Sequence, residues 1–130
     1  MPVRSLSSSV IVWPSAGEVE ESLVEWAHRE VRIRPELCGV GYYGSYAAGN
    51  WGVGSDLDVV LVVEKSERSV GRRTLEWELA GFQVPVDLCV YTLDEWHALF
   101  DSGRRFARML LEDTKWVYRK KAHAHEFNID

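Results

Sequence analysis

The sequence predicts an α/β (α+β) fold, in which helices pack against a small mixed β-sheet. Leu57–Val63 is an almost unbroken apolar run of strand length, typical of a central strand that is covered on both faces. Shorter apolar runs before and after it alternate with segments of helical periodicity. A length of 130 residues suffices for one core but not comfortably for two, so we expect one domain (1–130), with its core at about 15–118 and a polar tail at 119–130.

The first helix is predicted from its capping signal. Val10–Trp13 is a short run that Pro14 stops, which indicates an edge strand or an extended lead-in. Ser15 and Glu18 then have the spacing of a capping box, so a helix begins here and ends before Pro35. One apolar stripe follows at helical spacing and consists of Val19, Leu23, Trp26 and Ala27.

Three further elements are predicted in the middle of the chain. Leu37–Tyr43 and Val84–Tyr91 are apolar runs of strand length. Between the central strand and Val84–Tyr91, a short helix is predicted to end near Ala80, with Gly81 as its cap. The side chains that predict this helix are Leu75, Trp77 and Leu79.

The C-terminal part is predicted to contain two helices and a short strand. A second capping box, Thr92–Glu95, begins a helix that Ser102 and Gly103 end. A further helix carries Phe106, Met109 and Leu110, and Trp116–Tyr118 is a predicted strand. We interpret His123 and His125, in the polar tail, as solvated side chains.

Composition argues against several classes of protein. No apolar run approaches the roughly 18 residues that span a bilayer, and residues 1–9 lack the apolar core of a signal peptide, so we expect a cytoplasmic protein. The formal net charge of -5 argues against nonspecific nucleic-acid binding, which needs cations to neutralise phosphates. Basic clusters such as Arg72 and Arg73 are interpreted as solvated. Cys38 and Cys89 show no metal-ligand spacing and are predicted to be reduced thiols.

Gly44–Asp58 is the segment around which the rest of the chain is organised. It begins with a Gly-Ser turn, continues through a glycine-rich connection and ends on Asp56 and Asp58, at the start of the central strand. Side chains alternate along a strand, so aspartates two residues apart project from the same side. Carboxylates held that close repel each other unless a cation neutralises them, which predicts a divalent metal site. Asp87, inside a later predicted strand, requires a partner and is the third carboxylate.

Residues 39–44 match the G-x-G-x-x-G fingerprint of dinucleotide-binding folds. That motif functions only between a strand and a long helix, whose N-terminus holds the pyrophosphate. Three glycines soon follow the fingerprint, at Gly49, Gly52 and Gly54, and they prevent a helix of useful length. The sequence therefore argues against a dinucleotide-binding fold, and it contains no G-K-[ST] of a Walker P-loop.

Together these residues resemble the polymerase β-type nucleotidyltransferase superfamily, and more narrowly its minimal nucleotidyltransferases. The resemblance covers most of the chain. Relatives often carry arginines in the spacer, where this chain has Tyr46 and Ala48, so the cations that meet a triphosphate are not assigned. The residues that carry the resemblance are Tyr43-Gly44-Ser45, the ten-residue spacer 46–55, Asp56-Leu57-Asp58 before Val-Val-Leu-Val-Val, and Asp87.

The resemblance implies an enzyme that transfers a nucleoside monophosphate, AMP from ATP, to a hydroxyl. It implies two Mg²⁺ ions, both held by Asp56 and Asp58, while Asp87 holds the catalytic ion and helps to deprotonate the acceptor. Backbone N–H groups and hydroxyls would bind the phosphates. The residues implied in this nucleotide-binding role are Gly44, Ser45 and Ser55.

The resemblance also implies a partner. Minimal nucleotidyltransferases are often paired with a HEPN-domain toxin, and they act as its antitoxin by adenylylating one of its tyrosines. Two alternatives stay open: a small-molecule, antibiotic-type nucleotidyltransferase, and a noncatalytic module that masks a partner by binding. Trp51 and Trp96 are candidates for a partner interface, with core packing as the alternative. The sequence does not assign the base, the acceptor or a homo-oligomer.

Overall fold

Four strands form one mixed sheet with helices on both faces. The computed structural model describes residues 13–122. The strand order is β3-β2-β1-β4; β1 is antiparallel to β2 and β4, and β2 is parallel to β3. The predicted α+β class is confirmed. The elements, in chain order, are α1 (Ala16–Ile33), β1 (Leu37–Tyr43), α2 (Ser45–Ala48), β2 (Leu57–Val63), α3 (Val70–Arg73), β3 (Val86–Thr92), α4 (Leu93–Ser102), α5 (Arg105–Asp113) and β4 (Lys115–Arg119).

Two predictions concern residues outside the described range. The edge strand at 10–13 lies there except for Trp13, which belongs to neither a helix nor a strand. His123 and His125 of the polar tail lie there entirely. Between residues 13 and 122, no helix combines the length and the apolar character that crossing a bilayer requires.

α1 begins with the predicted capping box and buries the predicted stripe. The Ser15 N–H donates to Glu18 Oε1 at 2.8 Å, and the Glu18 N–H donates to Ser15 Oγ at 3.1 Å. Both donors would otherwise lack partners at the helix start. The stripe packs against one face of the sheet, together with the side chains of β2 that point to that face, Leu57, Val59, Leu61 and Val63.

α4 and α5 cover the opposite face of the sheet. Val60 and Val62 alternate with the first set along β2 and form a second cluster with Trp96 of α4 and Leu110 of α5. Trp96 is 0% exposed, and its ring meets that of Trp116 edge-on with centroids 5.5 Å apart. The prediction that Trp96 lies at a partner interface is therefore wrong, and core packing is its role.

The helix predicted to end near Ala80 does not form. α3 is continued only by a single 3₁₀ turn, Thr74–Glu76, which leaves Leu75 74% exposed. Trp77 is extended and buried, with its ring centroid 5.9 Å from that of Trp26 on α1. Burial of this large side chain outweighs a weak local preference for helix.

Arg73 is a buried cation, so its interpretation as a solvated residue is wrong. It is 5% exposed and donates to both carboxylate oxygens of Glu95, at 2.5 and 3.0 Å, and to the carbonyl of Val90 at 3.1 Å. Glu95 also accepts from the Thr92 N–H at 2.9 Å, in the capping box predicted for α4. Arg73 lowers the pKa of the Glu95 carboxyl. This bidentate ion pair connects α3 to the start of α4.

β4 approaches β1 closely because Gly41 has no side chain. The ladder skips one residue of β4 at this glycine. A Cβ on Gly41 would lie 2.6 Å from Thr114 Cγ2 and 2.9 Å from Trp116 Cε3, too close for real carbon atoms. Glycine therefore sets the register that pairs Lys115 with Tyr42. The G-x-G-x-x-G match lies almost wholly inside a strand, so a dinucleotide-binding turn is excluded.

Candidate functional site

The three predicted carboxylates meet at one edge of the sheet, where β1 ends and β2 and β3 begin. Asp58 is the second residue of β2, and its ladder partners are Tyr43 on β1 and Asp87 on β3. Neighbouring strands lie about 4.8 Å apart, so Asp58 and Asp87 stand side by side. Asp56 immediately precedes β2. The structure thus brings together residues that are separated by 29 positions between Asp58 and Asp87 in the sequence.

The carboxylates face the same side of the sheet as α4 and α5 but lie beyond the packed helices. The side chain of Asp58 points to the same face of the sheet as those of Val60 and Val62, which pack against α4 and α5. Asp58 is half-buried, whereas Asp56 and Asp87 are exposed. The site is therefore an open edge that a ligand can reach.

The fold raises the pKa of the Asp58 carboxyl. Burial raises its pKa above the ordinary value of 3.8, and the negative charges of Asp87 and Asp56 raise it further. These contributions place the three acids in one electrostatic environment. The causes of this shift are burial and two neighbouring acids, and none of them is a basic side chain of residues 13–122.

Gly44 leads from β1 into α2 in a conformation that is open mainly to glycine. Its φ of 76° and ψ of -148° lie in a region from which side chains are nearly excluded. A Cβ at this position would also overlap with Oδ2 of Asp58. The Gly-Ser turn and the Asp-x-Asp segment are therefore packed as one unit.

The two predicted phosphate-binding serines occupy different settings. Ser45 is the first residue of α2, and Gly44 before it provides no side-chain cap, so the first N–H groups of the turn are available to a ligand. Ser55 Oγ accepts from the Gly52 N–H at 2.8 Å, and the Ser55 N–H donates to the Gly52 carbonyl at 2.9 Å. Ser55 thus shapes the turn that leads to Asp56, and its contact with phosphate stays a prediction.

Comparison with known proteins identifies the family. The profile of the nucleotidyltransferase domain matches residues 26–117, which is more than half of the chain. The chain belongs to the nucleotidyltransferase domain family. The resemblance inferred from Gly44–Asp58 and Asp87 is thereby confirmed. No curated protein sequence matches the chain.

Solved structures share the fold of this nucleotidyltransferase. A candidate nucleotidyltransferase from Sulfolobus solfataricus is 23% identical, with a TM-score of 0.55 over 85% of this chain and 92% of that one. A toxin-antitoxin structure with AMP-PNP is 16% identical (TM-score 0.54; 80% and 79% covered). A tri-AMPylated Shewanella oneidensis HEPN toxin in complex with MNT antitoxin is 15% identical (TM-score 0.52; 87% and 80% covered). At these identities the likeness establishes the fold.

The carboxylates of the nucleotidyltransferase fit a hard divalent cation. Asp56, Asp58 and Asp87 supply only oxygen donors, which Mg²⁺ prefers, and their mutual repulsion is what a cation would cancel. Within residues 13–122, no group of three or more acidic, histidine or cysteine side chains is placed to hold a metal ion by itself. Mg²⁺ usually binds to one or two carboxylates, and water and substrate phosphates complete its coordination. An open set of carboxylates suits such a site.

Two side chains beside the nucleotidyltransferase carboxylates were not predicted from the sequence. Tyr43 Oη lies 3.7 Å from Cys89 Sγ. Burial, with smaller contributions from Asp58 and Asp87, raises the pKa of Tyr43 well above its ordinary value, and burial raises that of Cys89 to about 11. Both groups therefore stay neutral at physiological pH. Within residues 13–122, neither Cys89 nor Cys38 forms a disulfide, as predicted. Tyr43 and Cys89 lie beside the carboxylates only because β1, β2 and β3 pair with one another, so no local sequence pattern indicates their place in the site.

A cleft of about 760 Å³ adjoins the Gly-Ser turn of the nucleotidyltransferase. One wall is α2, and the other is formed by the end of α5 and the start of β4. Tyr46 points away from the cleft. It is buried among the side chains that pack between α1 and the sheet, and its ring stacks on that of Trp51 with ring centroids 5.4 Å apart. The small side chains of Ala47 and Ala48 line the cleft instead. Trp51 is half-buried, and its place at a partner interface stays a prediction.

Replacing Gly44 by alanine is expected to destabilise the fold by at least about 1 kcal/mol more than the matched change Gly49→Ala. Gly49 also has a positive φ, 83°, but a Cβ there would meet no side chain or distant backbone of residues 13–122 within 4 Å, so only backbone strain of about 1–2 kcal/mol applies. Gly44→Ala adds a larger backbone strain, since its ψ of -148° lies outside the left-handed region that Gly49 occupies, and the overlap with the Asp58 carboxylate. Denaturant unfolding measures both free energies. Equal costs would contradict the packing of Asp58 against Gly44.

Asp58→Asn is expected to raise the free energy of unfolding at pH 7. Because the folded-state pKa of Asp58 is raised, the folded chain binds its proton more tightly, and stability falls as pH rises from about 3.8 through the folded-state pKa. The stability of the Asp58→Asn variant does not fall in this way, so the difference in free energy of unfolding between the variant and the native chain should become smaller at acidic pH. Unfolding from pH 3 to pH 8 in a chelator measures this.

The control for that comparison is Glu21→Gln, which removes one exposed charge from α1 on the opposite face of the sheet. It corrects for the change in net charge. An Asp58→Asn protein that is less stable than the native chain at pH 7 would rule out the proposed repulsion.

Proposed function

We propose that this nucleotidyltransferase transfers AMP from ATP to a tyrosine hydroxyl of a HEPN-type toxin, and that it acts as the antitoxin of that toxin. One observation carries the proposal: Asp56, Asp58 and Asp87 gather at an open sheet edge, directly beside the Gly44–Ser45 turn. Oxygen donors for cations and backbone donors for phosphates are thus neighbours, as a reaction between a metal-bound triphosphate and a hydroxyl requires.

In this proposal the groups at the edge bind the metal ions and the triphosphate. Asp56 and Asp58 would hold two Mg²⁺ ions, and Asp87 would help to hold one of them. Such ions stabilise the attacking and the leaving oxygen of an in-line displacement. Gly44 and Ser45 bind phosphate oxygens through N–H groups and a hydroxyl, and so orient the triphosphate.

The reaction forms a bond between the acceptor oxygen and the α-phosphorus, while the bond from that phosphorus to pyrophosphate breaks. The acceptor proton must leave as the new bond forms. Asp87 is exposed at the sheet edge, so its carboxylate can accept this proton from a hydroxyl that arrives from solvent. The neutral Tyr43 and Cys89 beneath it do not compete for the role.

A protein acceptor is proposed for two reasons. Two of the similar structures are toxin-antitoxin complexes, one with AMP-PNP and one with a tri-AMPylated HEPN toxin. The carboxylate edge is also open rather than enclosed within residues 13–122, which suits an acceptor that is itself a folded surface. Cys38 and Cys89 do not form a disulfide with each other, which fits a reducing compartment, so we place the reaction in the cytoplasm.

Transfer of label from ATP labelled at the α-phosphate, with Mg²⁺ and host lysate, tests the proposal. The native chain is expected to label one protein band, and mass spectrometry should find AMP on a tyrosine. The double variant Asp56→Asn, Asp58→Asn should lose at least about 100-fold in rate, since outer-shell partners of metal ligands alone are worth 10–100-fold. The control double variant Glu21→Gln, Glu25→Gln removes the same charge from α1 and should label normally.

Other outcomes point to other functions. A labelled small product without a protein band would replace the proposal with a small-molecule nucleotidyltransferase. Tight partner binding that survives Asp56→Asn, with no label in any fraction, would indicate a noncatalytic module that masks its partner.

A further inference from the structure

We propose that Lys115 binds the β,γ end of the triphosphate and supplies the positive charge that the segment around the Gly-Ser turn lacks. This inference rests on the proposed function, because it concerns the nucleotide of the same site. It assigns a residue on β4, outside the segment that carries the family motif, to the binding of substrate.

The segment next to the phosphates contains no cation. Gly44–Asp58 includes neither lysine, arginine nor histidine, while it includes two aspartates. Arg73, in contrast, is buried in its ion pair with Glu95 and is not available to a ligand. A triphosphate bound at the Gly-Ser turn therefore needs a cation from another element to offset the charge of its distal phosphates.

The sheet topology places Lys115 at the required edge. Because β4 runs antiparallel to β1, its first residues lie where β1 ends, and Lys115 is the ladder partner of Tyr42. The strand order β3-β2-β1-β4 puts Asp58 on one side of the end of β1 and Lys115 on the other. Lys115 leaves the sheet on the face of its ladder partner Tyr42, which packs in the α1 layer, whereas Asp58 leaves it on the face that α4 and α5 cover. A triphosphate that starts at Asp58 therefore meets Lys115 by crossing the end of β1 at Gly44.

The cleft beside the Gly-Ser turn joins this turn to Lys115. Its lining includes Gly44 and Ser45 on one wall and Lys115 on the other, and its volume is about 760 Å³. Ala47 and Ala48 keep the first wall low. Lys115 is exposed, and its flexible stem carries three rotatable donors that can follow phosphate oxygens across the cleft.

Two acids also line the cleft. They allow a second test of the charge argument, in which a negative charge rather than a positive one is removed. Glu112 and Asp113 lie in the last turn of α5, next to Lys115. Their negative charges oppose an anion in the cleft. Removing one of them should therefore strengthen nucleotide binding, whereas removing Lys115 should weaken it.

Equilibrium binding of AMP-PNP and of AMP, both with Mg²⁺ at fixed ionic strength, tests the inference. Lys115→Ala is expected to weaken AMP-PNP binding by about 10-fold, as loss of one charge-assisted hydrogen bond predicts, and to change AMP binding less than about 2-fold. Lys115→Arg should retain most of the affinity for AMP-PNP, and Glu112→Gln should increase it. Arg119→Ala is the matched control, because it removes an exposed cation from the other end of β4.

Four results would overturn the inference. Unchanged AMP-PNP binding by Lys115→Ala would rule out the contact between Lys115 and the distal phosphates, while leaving the proposed function intact. An equal loss for AMP and AMP-PNP, or an equal loss in Arg119→Ala, would mean that the effect does not arise at the distal phosphates. A native chain that binds neither nucleotide would overturn the proposed function together with this inference. Thermal unfolding of each variant verifies that the fold is kept.

Discussion

The parallel pairing of β2 with β3 is the constraint on which the site depends. It sets Asp58 beside Asp87, and a slip of one residue would turn Asp87 to the α1 face of the sheet. Parallel strands need a long crossover, and here that crossover is anchored at two points. Arg73 ties its first half to α4, and Trp77 packs its second half against Trp26. The pairing that sets Asp58 beside Asp87 is thus supported by two buried side chains of the crossover, Arg73 and Trp77.

The same arrangement explains why the site lies at the edge of the sheet rather than inside it. Three carboxylates in one environment repel, and burial would raise the cost of ionising each of them. At the strand starts, Asp56 and Asp87 stay exposed to water, and only Asp58 is held partly buried against Gly44. The helices on the two sheet faces pack against the strands that carry these acids. Acids gathered on a packed sheet are well suited to bind cations and, through them, phosphates.

Much of the fold could be predicted because its signals are local. Capping boxes and uninterrupted apolar runs indicated the start of α1 and both bounds of β1 and β2. Predictions failed where a distant partner decides the structure. Trp77 is extended because Trp26 lies 51 residues earlier in the chain and packs against it, and Arg73 is buried because Glu95 receives it. The Asp-x-Asp pattern indicated the site, but the place of Lys115 depends on a strand pairing that the sequence does not display.

A crystal structure of the protein with AMP-PNP and Mn²⁺ in place of Mg²⁺ tests the central claim most directly, because anomalous scattering locates the metal. The account predicts manganese between Asp56, Asp58 and Asp87, with the phosphates over Gly44 and their distal end toward β4. Manganese bound away from these carboxylates, or a nucleotide that leaves the Gly-Ser turn empty, would contradict it.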